Sequence, residues 1–401
     1  MSLVDRDAAV LWHPYTQAQT EPPPLPIVRG EGAYLIAEDG RRYLDAISSW
    51  WVTVHGHAHP RLADALAKQA HTLEHVIFAG MTHPPAVELA EKLTALTGLS
   101  RVFYSDNGST AVEVALKMAF QYWALKGERR TRFLALPHAY HGDTVGAMAV
   151  GGVALFHDVF RDLLFRVDRY EGSVDESVAA VLVEPMLQGA GGMRVQEPEF
   201  LAGIEACCRE SGTLLIADEV LTGFGRTGRM FACEHAGVRP DILCLSKGLT
   251  GGFLPFAATL STDEIFDAFL SDDRTRTFFH GHSYCGNPLG CAVALESLRL
   301  FEEGPVLERA RTIGRLLEEG LQPLAGRAHI RGIGPVWAVE LPGDSGYLAE
   351  VGPALAAAAL RRGVLLRPLG NVLYAMPPFC LTDEEARNLA GVMVELVQEA
   401  T

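Results

Sequence analysis

The segment LIADEVLTGFGRTGRMFACEHAGVRPDILCLSKGLTGGFLP spans residues 215–255 and carries the pattern that decides the fold. One apolar run, TLLIAD at 213–218, leads into this segment, and a second, DILCLS at 241–246, lies within it. Both runs are continuously apolar rather than alternating, which is typical of parallel strands that helices cover on both faces. The segment therefore predicts two buried strands of a parallel sheet.

Four similar apolar runs lie on either side of this segment, and helical periodicity fills the intervals. They are RVFYS at 101–105, RFLAL at 132–136, AVLVEP at 180–185 and FAATLS at 256–261. This alternation predicts an α/β fold whose central sheet is mostly parallel. In such sheets, ligands bind at the carboxyl ends of the strands.

The two ends of the chain have a less regular pattern and predict a smaller α+β domain. The predicted elements are short strands at Ala33–Ala37, Arg42–Ile47 and near 328–341 and 364–376, with a last helix at Glu384–Val397. We expect residues 1–50 to form the N-terminal part of this small domain. Residues 51–294 are then the large domain, and 295–401 the C-terminal part of the small one.

Charge and cysteine content exclude several function classes. The 401 residues include 34 basic and 49 acidic side chains, and this net charge of −15 argues against nucleic acid or an anionic membrane as partner. The seven cysteines form no CxxC pair, so neither a zinc cluster nor a disulfide framework is indicated. We find no signal-peptide pattern and no apolar run long enough to span a membrane, and expect a cytoplasmic protein.

Each predicted strand of the deciding segment has a polar residue at its carboxyl end. Lys247 comes directly after DILCLS, where burial would lower the pKa of its amine and make it nucleophilic. Asp218 ends TLLIAD, and a carboxylate buried there needs a positive partner, such as a protonated pyridine nitrogen. Taken singly, Lys247 is also compatible with a surface amine, and Asp218 with a capping or structural carboxylate.

A candidate phosphate site follows the strand predicted at 101–105. Asn107-Gly108-Ser109-Thr110 precedes the predicted helix Thr110–Lys126 and offers backbone N–H groups and two hydroxyls at a helix N-terminus. Ser109 alone also suits a helix cap. Together, the phosphate site, the lysine and the aspartate meet the needs of pyridoxal 5′-phosphate for its phosphate, aldehyde and ring nitrogen.

Two competing motifs are weaker. Residues 223–228 fit the dinucleotide pattern GxGxxG, with Asp241 as a later acid, but five residues separate the strand from the first glycine, and MFACEHAG opens a long helix poorly. Histidines at positions 55, 57, 59, 71 and 75 have spacings that can share a metal ion. Their alternative interpretation is a polar loop and a helix with two surface histidines, and we predict no metal.

The deciding segment resembles the cofactor signature of the class III pyridoxal-phosphate aminotransferases, and the resemblance covers essentially the whole chain. It implies fold type I, with a smaller domain built from both termini. It also implies that Lys247 bonds covalently to the cofactor and that Asp218 pairs with the pyridine nitrogen. Gly108 and Ser109 match the phosphate loop, and Tyr140 in AYHGDT matches the aromatic residue that stacks on the cofactor ring. The GxGxxG pattern then belongs to a loop.

Four further segments resemble the branch of this family that moves an amino group from S-adenosyl-L-methionine to 8-amino-7-oxononanoate in biotin biosynthesis. They are LWHPYTQ (11–17), SSWWVTVHGHAHP (48–60), LVEPMLQGAGGM (182–193) and RPLGNVLYAMPP (367–378). The resemblance implies that the substrate site is lined by Tyr15, Trp50, Trp51, Tyr140, Arg367 and Tyr374. Arg367 is expected to bind the acceptor's carboxylate, and Tyr15 to join Lys247 and Asp218 in catalysis.

The resemblance further implies a homodimer with shared active sites. The segment FFHGHSYCGNPLG (278–290) matches the one that completes the partner's phosphate site, so Ser283 is expected at the cofactor and Gly281 at the substrate. His282 and Ser283 stand where the family usually has proline and threonine, and Asn371 where relatives often carry lysine.

The expected reaction is a ping-pong transamination in which Lys247 is the general base. The nearest alternative is another class III aminotransferase, acting on ornithine, 4-aminobutyrate or another ω-amine, and lysine is an alternative donor. An aminomutase, which needs no separate donor, is a further alternative. A non-enzymatic vitamin-binding regulator would need a DNA-reading module or basic face, and the sequence has neither.

Overall fold

A computed structural model of the chain describes residues 1–343 and 346–401. Its strands are β1 (Ile27–Glu31), β2 (Tyr34–Ala37), β3 (Arg42–Asp45), β4 (Arg101–Ser105), β5 (Arg132–Ala135), β6 (Asp168–Arg169), β7 (Val178–Val183), β8 (Leu187–Gln188), β9 (Arg194–Val195), β10 (Leu214–Asp218), β11 (Ile242–Leu245), β12 (Ala257–Ser261), β13 (His329–Ile333), β14 (Val336–Glu340), β15 (Val364–Leu365) and β16 (Val372–Ala375).

The α-helices of the described residues are α1 (Leu3–Val10), α2 (Ser48–Trp51), α3 (Pro60–Ala70), α4 (Pro84–Thr97), α5 (Gly108–Leu125), α6 (Val145–Val150), α7 (Ala154–His157), α8 (Pro198–Ser211), α9 (Asp263–Ala268), α10 (Pro288–Glu303), α11 (Val306–Leu321), α12 (Val351–Arg361) and α13 (Asp383–Ala400). Short 3-10 helices lie at Asp158–Leu163, Ala232–His235, Lys247–Thr250, Arg274–Arg276 and Gln322–Leu324. Within the described part of the chain, no helix is both long and apolar enough to cross a membrane.

The central sheet has seven strands in the order β4-β12-β11-β10-β7-β5-β6. All six apolar runs of the sequence form strands of this sheet, which confirms the predicted α/β fold. One strand differs in direction, because β12 pairs antiparallel with both β11 and β4. The connection from β11 to β12, residues 246–256, contains a 3-10 turn but no α-helix, and a parallel return requires a longer crossover.

The continuously apolar runs are explained by two separate cores, one on each face of the sheet. Leu215 and Ala217 of β10 pack in the larger core, whereas Leu214 and Ile216 pack in the smaller one. Successive side chains of a strand point to opposite faces, so both sets must be apolar. Helix α5 covers the smaller core with Val112 and Ala115.

The two ends of the chain meet in smaller sheets. Strand β15 pairs in parallel with β3, which places a C-terminal strand in the N-terminal sheet β1-β2-β3-β15. A second sheet has the order β13-β14-β16. The sequence analysis missed helix α1, in which a capping box between Ser2 and Asp5 starts the helix but no residue is buried.

Candidate active site

The carboxyl edge of the central sheet encloses a cavity of about 680 Å³. Its walls come from the loops that follow β4, β5, β7, β10 and β11, together with the residues that lead into the reversed strand β12. Six residues expected from the sequence line it, namely Trp51, Gly108, Ser109, Tyr140, Asp218 and Lys247. The parallel topology therefore brings together residues that are far apart in the sequence.

Lys247 follows β11 with a left-handed backbone, at φ +45°, which side chains other than glycine adopt at a cost. Its Nζ lies 5.0 Å from the centre of the Trp51 ring. Burial lowers the pKa of Lys247 to about 8, while the charges of Asp218 and Glu184 partly oppose this shift. A neutral, nucleophilic amine is therefore accessible near physiological pH.

Asp218 is buried at the end of β10 and both of its carboxylate oxygens accept hydrogen bonds. Oδ1 accepts from the Val220 backbone N–H at 3.0 Å, and Oδ2 from Nδ1 of His141 at 2.6 Å. These contacts orient the carboxylate and leave a lone pair on each oxygen for a further donor. Nε2 of His141 is buried without a hydrogen-bond partner among the described residues.

Glu184 is a second buried carboxyl group that lines the cavity, directly after β7. It accepts hydrogen bonds from the backbone N–H groups of Tyr140 at 3.0 Å and Gly189 at 3.2 Å. Burial raises the pKa of Glu184 to about 7. The sequence analysis missed both Glu184 and His141. For Glu184, the signal was a carboxyl group at the end of a continuous apolar run, the same signal that identified Asp218.

The sequence predicts a phosphate site at the start of α5, and the structure has a capped helix N-terminus there. Asn107 caps the helix by accepting from the Thr110 N–H at 3.0 Å, and the N–H groups of the first turn have no acceptor within a helix. Two glycines allow close packing here, Gly108 at the start of α5 and Gly142 in the loop after β5. A Cβ at position 108 would lie 2.5 Å from Val220, and one at 142 would lie 2.0 Å from Oγ of Ser109.

A second, aromatic pocket shares residues with this cavity. All six side chains expected to meet the substrate line it: Tyr15, Trp50, Trp51, Tyr140, Arg367 and Tyr374. The guanidinium of Arg367 lies 4.5 Å from the centre of the Trp50 ring, and Trp51 Nε1 donates to the Tyr374 hydroxyl at 2.9 Å. The pocket has only about 30 Å³ of free volume, because its side chains pack against one another.

Tyr15 is held between the two cavities by Asp143, another residue that the sequence analysis missed. Its hydroxyl donates to Asp143 Oδ2 at 2.5 Å, and the Tyr140 hydroxyl donates to the same oxygen at 3.0 Å. Burial raises the pKa of both tyrosines, so both are neutral phenols at physiological pH.

Gly281 and Ser283 are not brought to the cavity of their own chain. Both are exposed, and the neighbouring His282 places Nε2 3.7 Å from Oδ1 of Asp106. Asn371 is buried and donates to the Leu341 carbonyl at 2.8 Å, so it links the residue before β16 to the residue after β14. No group of three potential metal ligands occurs among the described residues.

We predict that reductive methylation of Lys247 by formaldehyde in the cofactor-free protein is half-maximal at a pH of about 8. Below this pH the amine is mostly protonated and unreactive. Because the charge of Asp218 raises the pKa of Lys247, the substitution Asp218→Asn should move the midpoint to lower pH. Peptide mass mapping gives the extent of labelling, with exposed Lys68 as the reference lysine. A midpoint that Asp218→Asn leaves unchanged or raises would contradict this electrostatic account.

Comparisons with known proteins agree with this geometry. The family model described as "Aminotransferase class-III" matches residues 15–170 and 157–397. The chain is 48% identical to adenosylmethionine-8-amino-7-oxononanoate aminotransferase of Synechococcus elongatus, over 97% of this chain and 98% of that protein.

Solved structures give the same result. The enzyme of the same name from Methanocaldococcus jannaschii superposes with a TM-score of 0.95 at 39% identity, over 99% of this chain and 98% of that one. An amine transaminase from an uncultivated Pseudomonas species, in a pyridoxal-phosphate-bound form, has a TM-score of 0.89 at 35% identity, over 97% and 98%. With its α/β fold and its lysine, aspartate and helix N-terminus around one cavity, the chain belongs to the class III aminotransferase family.

Proposed function

We propose that the chain transfers an amino group from S-adenosyl-L-methionine to 8-amino-7-oxononanoate, giving 7,8-diaminononanoate for biotin biosynthesis, with pyridoxal 5′-phosphate as cofactor. One observation carries the proposal: the Lys247 amine, the Asp218 carboxylate and the N-terminus of α5 share one cavity beside an aromatic pocket that contains Arg367. The names of the full-length relatives supply the donor and acceptor.

The residues of the cavity fit this cofactor. The first turn of α5 offers N–H groups to a phosphate, and glycines at 108 and 142 allow close packing against Val220 and Ser109 beside it. Lys247 offers a neutral amine to an aldehyde, and Asp218 offers free lone pairs to a protonated ring nitrogen. The cavity volume of about 680 Å³ is in the range of small-molecule sites.

When bound, pyridoxal phosphate supplies an electron sink next to the carbon that loses its proton. The chain's own residues then move and hold the protons. Nζ of Lys247, neutral above a pH of about 8, would take the proton from the donor carbon and return it two atoms away, as a 1,3-proton shift requires. Asp218 would keep the ring nitrogen protonated, and His141 holds the Asp218 carboxylate in place through its 2.6 Å hydrogen bond.

The side chains of the aromatic pocket, which must separate to admit a nine-carbon chain, support the assignment of the acceptor. A nine-carbon keto acid has an apolar chain with a carboxylate at one end, and the pocket offers aromatic side chains with one guanidinium, that of Arg367. Guanidinium groups bind carboxylates through two parallel hydrogen bonds. Tyr15, a neutral phenol that donates its one hydroxyl proton to Asp143, is placed to accept a hydrogen bond at the boundary of the two cavities.

We also propose that residues 51–294 form the large domain, and residues 1–50 and 295–401 the small one.

We further propose a homodimer in which the partner's Ser283 binds the cofactor phosphate and the partner's Gly281 faces the substrate. Exposure of both residues on the chain supports this arrangement, as does the exposed, largely aromatic surface around Phe279 and Tyr284.

The first test is spectroscopic. Added alone to the cofactor-loaded protein, S-adenosyl-L-methionine should convert the absorption of the pyridoxal form into that of the pyridoxamine form, and 8-amino-7-oxononanoate should reverse the change. Lys247→Ala should abolish turnover, whereas Lys68→Ala, an exposed control, should retain it. A pyridoxal band that S-adenosyl-L-methionine leaves unchanged would contradict the donor, and conversion by lysine or an ω-amine would favour the alternative aminotransferases.

A second test concerns the acceptor's carboxylate. Arg367→Ala should raise the KM for 8-amino-7-oxononanoate by about tenfold or more, because a charge-assisted pair is lost, while cofactor absorption stays normal. Arg361→Ala, which changes an exposed arginine of α12, is the matched control. Steady-state kinetics give both constants, and an unchanged KM would exclude Arg367 from carboxylate binding.

A third test concerns the dimer. Sedimentation equilibrium should give twice the mass of one chain, and Ser283→Ala should weaken cofactor binding by about tenfold without changing that mass, because a hydrogen bond to a charged phosphate is lost. Ser271→Ala provides an exposed serine control. A monomer that binds the cofactor fully would contradict the shared site.

A further inference from the structure

The loop with the GxGxxG pattern, residues 223–228, has no part in the proposed chemistry. Its backbone turns sharply at Gly225 and Gly228, with φ of +85° and +87°. A Cβ at 225 would lie 2.9 Å from the Phe379 ring. This turn carries Arg226 into the interior, where it is among the largest fully buried side chains of the described residues.

Arg226 joins two segments that form the aromatic pocket. Nη1 donates to the Pro377 carbonyl at 2.9 Å, just after the strand that carries Tyr374. Nη2 donates to the Thr53 carbonyl at 3.3 Å and to Ser48 Oγ at 3.4 Å, on either side of Trp50 and Trp51. The guanidinium also lies 4.8 Å from the centre of the Phe379 ring.

The turn that presents the two tryptophans is strained. Ser48, Ser49 and Trp51 have left-handed φ values of +51°, +60° and +66°, although none is glycine. Such conformations persist only where surrounding contacts hold them. Ser48 Oγ donates in turn to the Met376 carbonyl at 2.7 Å, so the turn is bonded to the Tyr374 segment directly as well as through Arg226.

A buried carboxylate holds the turn from its other side. Asp45 is fully buried, and its Oδ2 accepts from the Ser49 N–H at 2.6 Å and from His57 Nε2 at 2.8 Å. Burial lowers the pKa of Arg226 to about 9, and the charge of Asp45 opposes this shift. At physiological pH, Arg226 is therefore a cation in the protein interior.

We infer that Arg226 is a positioning residue for substrate selection: it fixes the strained Trp50–Trp51 turn against the Tyr374 segment and so sets the shape of the pocket that receives the acceptor. The identity of the substrate in this inference rests on the proposed function, whereas the contacts of Arg226 do not depend on it. Arg226 touches neither cavity. Its five N–H donors fit acceptors on both segments at once, and a lysine amine at the same place cannot reach all of them.

The test compares Arg226→Lys with Arg229→Lys, which changes an exposed arginine directly after this loop. Arg226→Lys keeps the positive charge near Asp45 but loses the planar guanidinium group and its fixed set of N–H donors. It should raise the KM for 8-amino-7-oxononanoate by about tenfold, change kcat by less than about threefold and leave the cofactor absorption unchanged. Arg229→Lys should match the wild type in all three. A wild-type KM in Arg226→Lys would overturn the inference.

A structural readout separates this inference from the proposed function. In the cofactor-free protein, Trp51→Phe identifies the contribution of the tryptophan turn to near-ultraviolet circular dichroism. Arg226→Lys should lose the same contribution while its far-ultraviolet spectrum stays that of the wild type. If that contribution is retained, or if Arg226→Lys fails to fold, Arg226 is not a positioning residue. If the wild type has no activity with the proposed substrates but the spectral loss occurs, the proposed function fails and the positioning role stands.

Discussion

The rest of the site depends on the pKa of one buried amine, that of Lys247 directly after strand β11. Burial disfavours the charged form of Lys247, and the carboxylates of Asp218 and Glu184 favour it. As a result, the pKa of the amine is about 8. Both carboxylates have to be kept in place in turn. His141 and the Val220 N–H orient Asp218, and the backbone of Tyr140 and Gly189 orients Glu184. The loops after β5, β7 and β10 thus depend on one electrostatic arrangement.

The phosphate side and the substrate side of the site are held in place by close packing and by hydrogen bonds between loops. Glycines at 108 and 142 let the start of α5 meet the loops after β5 and β10, with no room for a Cβ at either position. On the substrate side, the strained turn at Trp50 and Trp51 is bonded to the Tyr374 segment. The cofactor side and the substrate side share Trp51 and Tyr140, which line both cavities. The two cavities therefore share part of their walls.

The sequence predicted much of the fold, because a strand buried on both faces must be apolar at every position. All six apolar runs are strands, and Asp218 and Lys247 lie at the strand ends where the runs stop. The direction of β12 was not predictable from its composition, since it depends on the short connection before it. His141 and Asp143 were missed because a loop residue carries no periodicity, and their roles arise from contacts with Asp218 and Tyr15. Arg226 belonged to a visible motif, but only the fold shows that its side chain turns inward.

Reduction and peptide mapping identify the lysine that bonds to the cofactor. The protein is loaded with pyridoxal phosphate, reduced with borohydride to fix the bond, digested and mapped by mass spectrometry. The chain has five lysines, at 68, 92, 117, 126 and 247, and the account predicts the phosphopyridoxyl mass on the peptide of Lys247 alone. The same mass on another lysine, or no labelled peptide, would contradict it.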